Sequence, residues 1–79
     1  MRRMLYKGYH IEAHPYQLAD SGEWTIEIII SLDKRDQITQ RHFSAGNRYR
    51  IEDKAVQHCF NFGKQIIDGQ VENCSVRDL

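Results

Sequence analysis

Little in this sequence invites special chemistry. It holds one proline and two cysteines in 79 residues, too few cysteines for a disulfide framework, and the spacing of Cys59 and Cys74 fits no zinc pattern. Cys59 reads as a small buried hydrophobe and Cys74 as a thiol in the tail. The longest apolar run, Ile28-Ile29-Ile30, is strand-sized and far short of the roughly 20 residues of a membrane helix. The opening Met-Arg-Arg-Met-Leu-Tyr-Lys-Gly is basic but lacks an apolar core behind it, so a signal peptide is not expected and the chain reads as intracellular. Five scattered glycines match no phosphate-binding loop, and no serine sits in a nucleophile elbow. No cofactor motif appears. Charge of one sign is also missing: eleven Lys and Arg balance eleven Asp and Glu, which excludes the global footprint of a nucleic-acid binder.

What remains is an ordinary globular composition, 41% apolar and 28% charged, on a chain with room for one core. A domain this small buries only about 60% of the surface of its unfolded chain, so its stability is marginal. The whole chain, residues 1–79, is expected to be one domain.

Periodicity gives its elements. Tyr9, Ile11 and Ala13 alternate with His10, Glu12 and His14, as in a half-buried strand. Beyond Pro15 the parity flips at Tyr16 and Leu18, which predicts a bulge and an edge position for that stretch. Asp20-Ser21-Gly22 is a turn signal. From Glu23 to Leu32 a second strand places Trp24, Ile26, Ile28 and Ile30 on one face and Thr25, Glu27, Ile29 and Ser31 on the other. After a charged loop, Asp33-Lys34-Arg35-Asp36, a third strand over Gln37–Ala45 directs Phe43 inward and Ile38, Gln40 and His42 outward. Ala45-Gly46-Asn47-Arg48 reads as a loop.

A helix is predicted over Glu52–Asp68. Its apolar stripe is Ala55, Val56, Cys59, Phe60, Gly63, Ile66 and Ile67, with Glu52 and Asp53 suiting the N-terminal dipole and Gly69 the stop. Gly63 inside the stripe implies close approach to the sheet. Val71, Val76 and Leu79 are expected to return across the core edge. The predicted fold is α+β: a three-stranded antiparallel β-meander with one C-terminal helix on one face (β-β-β-α). The second face is left uncovered.

The stretches Tyr6-Lys7-Gly8-Tyr9-His10-Ile11, Gly22-Glu23-Trp24, Phe43 with Tyr49, Ala55 and Gly63 to Gly69 resemble a group of short bacterial proteins of unknown function. That group commonly carries threonine, a natural helix cap, where this chain has Ile51. The resemblance implies the β-β-β-α fold and brings no activity with it. In layout alone the chain is also similar to HicB-type antitoxins, which implies a regulatory role.

Three surfaces could carry function. An apolar centre at Ile29 and Ile38 is rimmed by His10, Glu12, Glu27, Gln40 and His42 on the uncovered face, which suits a protein contact or a homo-oligomer, with strand edges as a further contact. A basic strip of Lys34, Arg35, Arg41, Arg48 and Arg50, with Arg2 and Arg3, would suit phosphate contacts, although no aromatic platform for unpaired bases accompanies it. His10, Glu12 and His14 share one strand face in a zinc-type ligand set, with His42 as a fourth; a solvated polar face produces the same pattern. Acid–base work by His10, Glu12, Glu27 and His42 lacks a sheltering pocket on so flat a sheet. The expectation is therefore a non-catalytic interaction module, with nucleic-acid or antitoxin-like regulatory binding as the alternative, and neither a membrane nor a small-molecule partner.

Overall fold

In the computed structural model, which describes residues 2–77 and 79, four strands and one helix follow one another. They are β1 (Arg2–Tyr6), β2 (Tyr9–Ala13), β3 (Trp24–Lys34), β4 (Gln37–Tyr49) and α1 (Glu52–Ile67). The strands form one antiparallel sheet in the order β1-β2-β3-β4. The architecture is α+β with a C-terminal helix, but the sheet has four strands rather than the three predicted.

The additional strand is β1. Its two arginines resemble a basic leader, and Leu5, 63% exposed on the outer face, blurs the alternation of Met4 and Tyr6 towards the core. The available signal was the dipeptide Lys7-Gly8. Both residues have positive φ, +49° and +86°, as a two-residue hairpin turn of type I′ requires, and Tyr6 faces Tyr9 across it.

Pairing of β2 with β3 aligns Ile11 with Ile30 and Ala13 with Ile28, so one face of the sheet collects Ile11, Ala13, Ile26, Ile28 and Ile30, all buried. Helix α1 lays Ala55, Val56, Cys59, Gly63 and Ile66 onto this inner face. The close approach expected at Gly63 is real: a Cβ there would stand 2.8 Å from Ile11 Cγ2. The helix ends one residue earlier than predicted. Gly69 N–H donates to the Ile66 carbonyl and Gln70 N–H to that of Gln65, the paired bonds of a Schellman stop, with φ +75° at Gly69. Its start has no side-chain cap, as Ile51 dictates.

Two segments read as loops are handled differently. Residues 45–48 remain in β4, because a register shift absorbs them: Ala45 pairs with Ile26 and Arg48 with Thr25, leaving Gly46 and Asn47 as a bulge. Strand β3 likewise continues to Lys34, shortening the hairpin turn to Arg35-Asp36. Around Pro15 the strand breaks rather than bulges, although His14 N–H still donates to the Glu27 carbonyl and Thr25 N–H to that of Tyr16. The C-terminal segment does return over the core: Val76 and Leu79 are buried in it, and Arg41 of β4 donates to the Ser75 carbonyl. Helix and tail therefore share the inner face.

Tyr6 and Lys7 fasten the first hairpin to the helix end. The Tyr6 hydroxyl donates to Asp68 at 2.8 Å and Lys7 Nζ to the same carboxylate at 2.5 Å. The Lys7 hydrogen bond, helped by Tyr6, holds the Asp68 carboxyl below its usual range, and Asp68 holds the Lys7 ammonium above its own.

Candidate functional site

The outer face follows from the strand register. Leu5, His10, Ser31 and Gln40 make one row across it, Arg3, Glu12, Ile29 and His42 the next, and His14, Glu27 and Ser44 a third. Asp33 and Ile38 pair at the hairpin end. The residues assigned by periodicity to this face thus lie on it, and among them only Ser31 is buried.

The proposed apolar centre is not assembled, however. Ile29 lies between Glu12 and His42, whereas Ile38 pairs with Asp33, four residues further along β3 and so about 13 Å away. Ile38 is 70% exposed at the hairpin end and Ile29 half-buried amid polar neighbours. Equal parity had placed them on one face; only the register shows the rows between them.

His10, Glu12 and His14 also share the face without converging. His10 Nε2 is 3.6 Å from Asp33 Oδ2, and His14 Nε2 is 3.6 Å from Glu12 Oε1. His14 Nε2 is itself buried and makes no hydrogen bond. No group of three His, Cys, Asp or Glu among the described residues is placed to hold a metal ion. A shallow depression of about 450 Å³ does lie over the sheet, lined by His14, Glu27, Ile29, His42 and Ser44. Sequence reasoning overlooked it because it needs side chains from β3 and β4 together with His14, just beyond β2. Glu27 is exposed there, so its carboxylate lacks the apolar shelter that general acid catalysis draws on.

The basic strip is dispersed. Lys34 and Arg35 occupy the hairpin end, Arg48 and Arg50 the opposite end of β4, and Arg41 points to the inner face, where its guanidinium meets Ser75. Arg35 and Arg48 stand thirteen positions apart along a chain that is mostly strand, at most about 40 Å. Arg2 is paired with Asp53 at 2.8 Å. Clustering in sequence did not become clustering in space, because an extended strand spreads its residues out.

A different surface emerges at β4. This strand ends the sheet, so its outer edge is unpaired among the described residues, and it is the longest strand of the four. The other edge, β1, is short and carries Arg2 and Arg3, the usual protection against pairing with another chain. Strand β4 has no proline, and from Gln37 to Ala45 its register is regular, broken only afterwards by the bulge. Beside the bulge, α1 lies over β2 and β3 more than over β4, which opens a groove of about 350 Å³ lined by Ala45, Tyr49, His58, Asn61, Phe62 and Gln65. The rings of Tyr49 and His58 stack there, 4.3 Å apart and 9° from parallel.

Cys59 is fully buried, with its Sγ 3.7 Å from the Glu27 carbonyl, and burial pushes its thiol up from the ordinary value, as befits an inert core cysteine. No helix among the described residues is long and apolar enough to cross a membrane. Comparison of the chain with protein-family models, with curated proteins and with solved structures finds no match.

Proposed function

We propose that this chain is a non-catalytic protein-interaction module that receives an extended segment of a partner along β4. The observation that carries the reading is the unpaired edge of β4, regular from Gln37 to Ala45 and backed by an open groove. Each N–H and C=O on that edge that turns away from β3 lacks a ladder partner, and an added strand supplies one at every second residue. The outer face supports a contact less well. Its larger apolar side chains, Leu5, Ile29 and Ile38, stand apart among His10, Glu12, Glu27, Gln40 and His42.

Selection from displayed random peptides, followed by amide spectra of the complex, tests the reading. Strand addition shifts alternate amides of residues 37–45, and methylating the backbone nitrogens of a selected peptide abolishes its binding. The proposal fails if no peptide is selected and those amides neither shift nor gain protection at any protein concentration.

A further inference from the structure

We infer, resting on that reading, that the partner received by β4 is a second copy of this chain. Its own β4 lies antiparallel about a two-fold axis at Gln40, so that Ile38 of each copy seats on His42 of the other. The free edge groups follow from the ladder. His14 N–H donates to the Glu27 carbonyl, so Glu27 turns its backbone groups away from β4. Alternation then turns those of Ile28, Ile30 and Leu32 towards β4, where they exchange bonds with Phe43, Arg41 and Thr39. The unpaired N–H and C=O groups are therefore those of Ile38, Gln40, His42 and Ser44. None of these four is a proline, lysine, arginine or carboxylate, the residues by which an edge repels another strand.

The two edges of the sheet differ in this respect, and the difference sets the size of the assembly. Strand β1 is short and carries Arg2 and Arg3, whereas β4 is long and unprotected. A two-fold axis normal to the sheet joins β4 to β4 and leaves β1 and its copy as the outer edges, both protected. Pairing therefore closes at two copies and does not run on into a filament. A foreign strand needs side chains to select it, and the uncharged outward positions offer no such selection. A copy needs only the symmetry.

The register follows from the outer face. Ile38, 70% exposed, is the most exposed large apolar side chain among the described residues. About Gln40, the row Glu12, Ile29, His42 continues into Ile38 and Asp33 of the other copy. The His42 imidazole then stands between Ile29 and the incoming Ile38, an aromatic ring opposite a β-branched side chain. Two copies thus assemble the apolar centre that one copy disperses. Gln40 meets Gln40 on the axis, where each amide has a donor and an acceptor for the other. About Arg41 instead, Ile38 would face Ser44 and gain no apolar cover. The paired stretch Gln37–Phe43 at about 3.4 Å per residue, on a sheet about 10 Å deep, covers roughly 500 Å² over both copies. Lasting complexes bury upwards of roughly 1,200 Å², so this dimer is weak and exchanges with monomer.

Sedimentation equilibrium of the full chain from about 10 μM to about 1 mM, the range of a weak contact, tests the inference. It is combined with amide exchange and with contacts measured between a labelled and an unlabelled copy. The mass is expected to rise towards that of two chains, the amides of Ile38, Gln40 and His42 to gain protection, and the Ile38 methyl groups to touch the His42 ring of the other copy. Gln40→Pro removes an edge N–H that the ladder to β3 does not use, and Ile38→Lys places a charge on an exposed position. Each is expected to keep the fold and to weaken association at least about tenfold; should Gln40→Pro fail to fold, Ile38→Lys carries the comparison. A chain that stays monomeric throughout, yet binds extended peptides along residues 37–45, overturns the inference and leaves strand addition intact. So does a dimer whose copies touch elsewhere or set Ile38 opposite Ser44. With neither a dimer nor peptide binding at β4, the parent reading falls as well.

Discussion

Replacing Gly63 by alanine sets two effects of opposite sign against each other, and the geometry decides between them. In an unhindered helix interior alanine is favoured over glycine by about 1 kcal/mol. At Gly63 the new Cβ would stand 2.8 Å from Ile11 Cγ2, 2.9 Å from its Cδ1 and 3.2 Å from its Cγ1. Unstrained carbon contacts need about 3.5–4.0 Å. Ile11 is fully buried, and three of its side-chain carbons are crowded at once, so relief requires a packed side chain to move within the core. Overpacking of this kind costs about 1–3 kcal/mol. Taking the middle of that range, Gly63→Ala lowers stability by a net of about 1 kcal/mol, or about 4–8 °C in Tm for a domain of this size. Urea denaturation measures it, with an unchanged slope showing that the same surface is exposed. The cause is isolated by a cycle with Ile11→Ala. That substitution alone costs about 2–5 kcal/mol, but in the Gly63→Ala background the added methyl occupies part of the vacated space. The double variant is then more stable than the sum of the singles implies, by about 1 kcal/mol or more. A gain in stability for Gly63→Ala, or strict additivity in the cycle, would refute the close-packing argument.

Ile51 is 59% exposed and occupies the N-cap with φ −113°, a conformation in which a side-chain oxygen could reach the free N–H groups; Ile51→Thr is expected to raise stability by about 1 kcal/mol, and unchanged Tm values would count against the cap assignment. The Lys7–Asp68 pair predicts a pH window. Asp68 has its folded pKa depressed, so its contribution is present above the ordinary value of 3.8 and disappears as pH falls through the lower folded value; Lys7 has its folded pKa raised, so its contribution is complete below 10.5 and is lost as pH climbs through the higher folded one. The Tm difference between the wild type and Asp68→Asn should therefore hold between those limits and shrink outside them; a difference independent of pH would contradict the pairing. Val76→Ala removes buried methyl groups from the tail and should cost about 1–2 kcal/mol in denaturant titrations, whereas a change within error would mean that the tail does not cap the core. Ile38→Ser, on a side chain 70% exposed, should leave stability within about 0.5 kcal/mol.

Much of this fold was legible from local pattern, because burial on one face imposes a period and the period survives in the sequence. Alternation fixed the inward set Ile11, Ala13, Ile26, Ile28 and Ile30, and three- and four-residue spacing marked the stripe from Ala55 to Ile66. Gly63 and Gly69 announced a close approach and a stop, since few other residues meet those backbone demands. Strand β1 escaped because two arginines and an exposed Leu5 hide a half-buried edge.

Periodicity states which face a residue shares and nothing about its neighbours on that face. Only the pairing register separated Ile29 from Ile38, sent His10 to Asp33 and His14 to Glu12, and spread the arginines along β4. A strand edge was expected as a contact, but its identity as β4 and the groove beside it were invisible beforehand, for they arise from which strand ends the sheet and where the helix comes to rest. Those are outcomes of long-range packing, and no window of consecutive residues contains them.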